Sequence, residues 1–231
     1  MLNDNMLTMF LTIMQARTSS QRLPGKALLP VNDLPMAILA ATRALNSFSD
    51  LVVATSLDHS DDLLCKCLDS KNIQYHRGSL INVLSRFLEI AENFNLQPKD
   101  TIIRLTADNP IVDKYLLEEM KDVWTSNNYE YMSAQPDGPA SKKWPKGLSA
   151  EFFRYEQLLK TAKNQNDPLI QEHVSIEIKK TSKKLIYGEN RNIESITSSC
   201  TVDTFEDYLK ILDLFENHST NQKYSTILTN M

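Results

Sequence analysis

Short apolar runs alternate with amphipathic stretches through the first half of this chain, and that alternation leaves few architectures open. Residues 7–15, 51–55, 73–76 and 101–105 read as strands, each a brief run of apolar and β-branched side chains. Between them, 35–46, 60–70 and 80–93 carry apolar residues at three- and four-residue steps, as amphipathic helices do. Such a βαβ series predicts an α/β fold whose mainly parallel sheet is covered by helices on both faces. Its 231 residues suit one domain spanning 1–231 better than two small ones. Ligands in a sheet of this kind collect at the carboxyl ends of the strands, near a switch in strand order. The loops after Gln15, Thr55, His76 and Leu105 are therefore expected to share one rim.

Further along, 113–126 reads as a helix opened by an acidic cap and 129–132 as a short strand. The stretch 135–147 crowds Pro136, Gly138, Pro139, Lys142, Lys143, Pro145 and Gly147 together, the composition of a mobile loop or an arm. After it, 148–153 resumes an extended pattern, 154–163 and 169–178 look helical, and 184–187 reads as a strand. A last helix spans 205–217, and the polar tail beyond His218 is expected to fray.

Composition narrows the function. A net charge of −4 and a pI near 5.6 argue against a nucleic-acid partner, which leaves a basic footprint over a whole face. Cys65, Cys67 and Cys200 fit neither a disulfide framework nor a zinc cage, so a reducing cytoplasm is expected. The apolar run 6–14 is interrupted by Thr8 and Thr12 and lacks a basic leader, which supports neither a signal peptide nor a membrane span.

Any basic site must then be local, and one stands directly after the first strand. Arg17, Thr18, Ser19, Ser20, Arg22 and Lys26 fall within ten residues around a Leu23-Pro24-Gly25 turn. Fixed cations, hydroxyls and backbone N–H groups at a strand end are what an anion such as phosphate needs. Asp108 follows the strand at 101–105, on the rim expected to carry the basic loop; the competing reading is a turn former or helix cap. Asp203, in Thr201-Val202-Asp203-Thr204, is open to the same alternative as a cap of the last helix.

Gln15-Ala16-Arg17, Ser20 and Arg22-Leu23-Pro24-Gly25-Lys26 resemble the N-terminal signature of cytidylyltransferases that make CMP-activated acidic sugars, in particular the spore-coat polysaccharide and acylneuraminate cytidylyltransferase-like proteins. Matching segments run from the first strand to the last helix. The resemblance implies a Rossmann-like, glycosyltransferase-A-like nucleotidyltransferase fold. It also implies an activity in which CTP and a small anionic sugar give a CMP-sugar and pyrophosphate. By the same resemblance Lys26, Arg17 and Asp108 are catalytic, and Ala16, Ser20, Arg22, Arg77 and Arg86 join them in holding the nucleotide. Ser19, by its hydroxyl and backbone N–H in the basic loop, and Thr55, by its place at the end of the second strand, are read from the sequence itself as further nucleotide contacts. Asp108 and Asp203 are the implied ligands of Mg²⁺, and Gly147, Glu151, Glu172 and His173 the implied acceptor contacts. A His inside an amphipathic helix, as His173 reads, is otherwise a structural residue. A homodimer, paired through an arm within 135–190, is implied as well.

Asn82, Lys146 and Ser149 stand where the resembled family carries acids. The two losses at Lys146 and Ser149, in one pocket, point to a different, more anionic acceptor, whereas Asn82 leaves open whether its position meets nucleotide or substrate. Spacing alone does not separate CTP from GTP. A guanylyl- or uridylyltransferase acting on a sugar 1-phosphate, and a non-catalytic nucleotide-binding subunit of a glycan pathway, both remain open at this stage.

Overall fold

The computed structural model describes residues 8–136, 144–163, 167–189, 191, 193 and 199–229. In chain order its strands are β1 (Phe10–Gln15), β2 (Pro30–Val31), β3 (Leu34–Pro35), β4 (Asp50–Ser56), β5 (Tyr75–Gly78), β6 (Thr101–Thr106), β7 (Tyr131–Ser133), β8 (Glu151–Arg154) and β9 (Lys184–Ile186). The helices are α1 (Met36–Ala44), α2 (Asp62–Ser70), α3 (Val83–Asn93), α4 (Lys114–Thr125), α5 (Tyr155–Ala162), α6 (Pro168–Glu172), α7 (Ile176–Thr181), α8 (Phe205–Glu216) and α9 (Tyr224–Thr229).

Among the described residues seven strands form one sheet in the order β5-β4-β1-β6-β8-β7-β9. β5, β4, β1 and β6 pair in parallel, β8 runs antiparallel to both β6 and β7, and β9 is parallel to β7. The mainly parallel α/β fold read from the sequence is thus the observed one. The chain leaves β1 to build β4 and β5 on one side and returns to place β6 on the other. The switch in strand order therefore falls between β1 and β6, where a crevice opens at their carboxyl ends.

Alternation along β1 divides the core between two faces. Phe10 and Met14 pack with α1, α2, α4, α8 and α9, whereas Leu11 and Ile13 pack with α3, α5, α6 and α7. Local chemistry sets the helix starts. Asn82 accepts from Ser85 N to cap α3, and Asp113 accepts from Leu116 N to cap α4, as its acidic cap predicts. Thr204 and Asp207 form a reciprocal capping box at the start of α8.

Several boundaries differ from the sequence reading, each for a physical reason. The strand expected at 73–76 is shifted to Tyr75–Gly78, because Asn72 takes a φ of 52° and Ile73 N donates back to Leu68 O, closing α2. The hairpin of β2 and β3 was not read from the sequence; Asn32 and Asp33 turn it with φ values of 47° and 63°. The helix expected over 169–178 breaks into α6 and α7. Val174 is fully buried and the Ser175 hydroxyl bonds to Glu151, so tertiary contacts override the helical period there. His173 accordingly stands at the end of α6 rather than inside a helix.

Over the described residues 219–229 the tail beyond His218 is ordered rather than frayed. It forms α9, which buries Tyr224, Ile227 and Leu228, and Tyr224 N donates to Asp113 at 2.6 Å. Residues 137–143, within the stretch read as a loop or arm, lie outside the described residues. Of the wider region 135–190, β8 and β9 belong to the main sheet, and Trp144 is buried with its Nε1 donating to Leu148 O. No helix among the described residues is long and apolar enough to cross a membrane.

Candidate active site

The basic loop leaves β1 and folds back on itself. Thr18 O accepts from both Ser20 N and Gly25 N, and Gly25 sits at a φ of 74°, a conformation that a side chain disfavours. Thr18 is in turn tied to Asp61, whose Oδ1 accepts from Thr18 N at 2.7 Å and from its hydroxyl at 2.8 Å. Asp61 Oδ2 takes Ser56 N and the Ser56 hydroxyl at the end of β4. Asp61 is fully buried. Burial pushes its carboxyl up, but the hydrogen bonds from Ser56 and Thr18 outweigh it and hold the group below the ordinary aspartate value.

The loop ends at Lys26, whose ammonium makes three contacts: Asp108 Oδ2 at 2.7 Å, Val202 O at 2.7 Å and Asp203 Oδ1 at 3.2 Å. Arg22 reaches Asp203 Oδ1 at 2.8 Å, and Lys146 lies 3.6 Å from its Oδ2. The two acidic segments are joined by Val202 N donating to Asp108 O. Capping of α8 falls to Thr204 and Asp207, which leaves the Asp203 carboxylate turned to these cations. Two hard carboxylate oxygens thus converge on one cationic centre, a donor set suited to a divalent ion that completes its shell with phosphate and water.

Beside this cluster, at the β1/β6 crevice, opens a cleft of about 480 Å³. Ala16, Arg17, Ser20, Arg22, Lys26, Arg86, Asp108, Glu172 and His173 all line it. Arg86 is 2% exposed, donates to Ala54 O at 3.0 Å and leaves its Nε without a partner among the described residues. Burial and the nearby Arg17 charge push its guanidinium down to about 10, so it is still charged at neutral pH. Arg17 lies 3.7 Å from Glu172, which joins the loop to α6.

Other residues named from the sequence do not line this cleft. Thr55 is buried within β4, and the Ser19 hydroxyl is buried without a partner. Arg77 is held by Ser56 O, Asp58 O and Asp62, which fixes the β4–α2 connection rather than meeting the cleft. Glu151 stands behind the cleft wall, bonded to Arg104, Tyr131 and Ser175. Gly147 makes a tight turn against the Asp203 segment at a φ of 84°. A Cβ there would lie 2.2 Å from Thr201 Oγ1 and 2.6 Å from Asn109 Oδ1. Gly147→Ala is therefore expected to cost about 2 kcal/mol in urea unfolding, as a strained backbone conformation does. The sequence reading assigns no site role to Gln15 and Thr106, which line the cleft, or to Asp61, which anchors the loop. The position of the first two at strand ends, and for Gln15 its place in the signature, could have flagged them.

The cytidylyltransferase family model matches residues 11–228. The chain is 30% identical over 219 residues to the spore coat polysaccharide biosynthesis protein SpsF of Bacillus subtilis, covering 89% of this chain and 86% of that one. A cytidylyltransferase from Leptospira borgpetersenii superimposes with a TM-score of 0.83 at 25% identity, covering 97% and 98% of the two chains. The fold is also that of a CMP:2-keto-3-deoxy-manno-octonic acid synthetase solved in complex with CTP, at a TM-score of 0.64 and 14% identity, covering 92% and 100%. With the family match spanning nearly the whole chain, this protein belongs to the cytidylyltransferase family of nucleotidyltransferases.

Proposed function

We propose that this protein couples CTP to an acidic, ulosonic-acid-like sugar, releasing pyrophosphate and forming a CMP-sugar for a surface polysaccharide. The observation that carries the reading is the position of Lys26 Nζ, between Asp108 and Asp203 at the edge of a cleft lined by Arg17, Arg22 and the buried Arg86. A desolvated guanidinium at a cleft, with no ion-pair partner in contact among the described residues, favours an anionic ligand.

The reaction is in-line attack of a sugar hydroxyl oxygen on the α-phosphorus, which forms the new O–P bond as the bond to pyrophosphate breaks and the hydroxyl proton passes to water. No covalent nucleophile is needed, because this transfer rests on positioning and charge stabilisation. Asp108 and Asp203 would hold Mg²⁺, which supplies charge neutralisation on the phosphates. Arg17, Arg22 and Arg86 hold the triphosphate in the cleft, and Lys26 turns from its carboxylates toward the leaving pyrophosphate, where negative charge builds. Lys146, beside Asp203, adds a cation for an anionic acceptor.

Thermal unfolding with CTP, GTP, UTP or ATP and Mg²⁺ tests the nucleotide. CTP alone is expected to raise the melting temperature, since a ligand at a hundred times its Kd adds about 2.7 kcal/mol. An equal or larger shift with GTP or UTP would move the assignment to another base, and no shift with any of them would overturn the reading. The resemblance also supports a cytoplasmic homodimer; a light-scattering mass of one chain at micromolar concentration would reject the dimer.

A further inference from the structure

Gln15 ends β1 and forms part of the cleft wall. Its register partner on β6 is Thr106, and Arg104, two residues earlier on that strand, shares its guanidinium between two partners: Nη2 donates to Gln15 Oε1 at 3.0 Å, and Nη1 donates to Glu151 Oε2. Glu151 lies directly across from Arg104 in the β6/β8 register. It also accepts from the Tyr131 hydroxyl at 2.6 Å and from the Ser175 hydroxyl at 2.8 Å. Burial raises the Glu151 carboxyl, but Arg104 and the hydroxyls outweigh burial and hold it below the usual glutamate value. Arg104 is thus pinned from behind by a charged, fully bonded carboxylate.

That pinning decides which way the Gln15 amide points. Arginine offers only donors, so the Gln15 carbonyl must face it and the Nε2 amide must turn the other way. Nε2 has no partner among the described residues and is not one of the buried unpaired atoms. The chain therefore presents an N–H donor to the cleft in a fixed orientation, with no protein acceptor assigned to it. Glu172 and His173 of α6 line the same cleft, while Lys26, Arg22, Asp108 and Asp203 form the cluster suited to phosphate.

We propose that Gln15 is a specificity-determining residue whose Nε2–H donates to the carboxylate of the acceptor sugar, its orientation fixed by Arg104 and Glu151. A fixed donor with no companion acceptor selects an oxygen that only accepts, and a sugar carboxylate supplies one. The inference rests on the acidic-sugar reading above and adds the residue that recognises the acid.

Gln15→Glu keeps the oxygen that Arg104 holds but replaces the N–H donor with an anionic oxygen, and Gln15→Ala removes the donor. Gln15→Glu keeps the acceptor for Arg104 and so leaves the fold intact, and urea unfolding shows what Gln15→Ala, which removes that acceptor, costs in stability. Pyrophosphate release is measured with Mg-CTP and the eight- and nine-carbon acids 3-deoxy-manno-octulosonate and N-acetylneuraminate. The KM for the acid used is expected to rise about a hundredfold in Gln15→Glu and about tenfold in Gln15→Ala, with the KM for CTP unchanged. An unchanged acid KM in Gln15→Glu would overturn the role of Gln15 alone, as would a rise confined to the KM for CTP, which would place the donor on the nucleotide. Wild-type protein that binds CTP but releases no pyrophosphate with either acid would instead overturn the acidic-sugar reading, and this inference with it.

Discussion

Lys26→Ala is expected to lower the rate of pyrophosphate release by about a thousandfold, the effect of removing one oriented charge from a developing oxyanion. The ammonium is placed by the Leu23-Pro24-Gly25 turn, and it is mostly buried, with a side-chain exposure of 12%. A cation held in so little water interacts more strongly with phosphate than a surface lysine does. Its loss also leaves Asp108 and Asp203 facing one another, with Arg22 and Lys146 to offset only the second of them. The variant should therefore lose turnover even at saturating CTP, and single-turnover kinetics will separate that loss from weaker binding. Turnover within threefold of wild type would remove Lys26 from the chemistry.

The largest loss of stability is expected at a residue that never meets the cleft. Asp61→Ala strands the backbone N–H groups of Thr18 and Ser56 and the Ser56 hydroxyl, all donors to one buried carboxylate, while the Thr18 hydroxyl keeps Ser60 O as its acceptor. Each unmet buried donor costs about 1–3 kcal/mol, and partial relaxation brings the expected total to about 4 kcal/mol in urea unfolding. The sign of the pH dependence follows from the lowered carboxyl. Asp61 contributes fully above the unfolded aspartate value of about 3.9, and its contribution fades as the pH falls through the lower folded value. The gap between wild type and Asp61→Ala should therefore narrow only in strong acid. A gap that closes already between pH 7 and 5 would contradict the hydrogen-bonded carboxylate.

How far the sequence anticipates these features depends on whether the cause is local. The parallel strands and their helices were legible because burial on both faces writes short, mostly apolar and β-branched runs, as in β1, β4 and β6. The loop from Arg17 to Lys26 was legible because its cations and its turn are adjacent in sequence. Asp108 and Asp203 could be named individually, whereas their convergence on a single ammonium depends on how three distant segments pack.

Asp61, and the role of Gln15 within its motif, were not legible for the same reason. Nothing next to Asp61 announces that it will bond Thr18, 43 residues earlier, and Arg104 lies 89 residues from the Gln15 amide it orients. Glu151 was read as an acceptor contact, but its partners Arg104, Tyr131 and Ser175 make it a support behind the wall. The break between α6 and α7 and the burial of α9 were hidden too, since a helical period persists in sequence even where tertiary contacts end a helix or dock a polar tail.

The contact between Lys26 and Asp203 spans 177 positions, so it closes one of the longest loops the chain can make. Contacts of such separation form late, because the entropy of bringing the ends together is lost before any of them is rewarded. On a ribosome the cationic turn emerges well before its distant aspartate, and a nascent chain halted before Asp203 lacks one wall of the site. Competence to catalyse is therefore acquired at the end of folding rather than built up along the way.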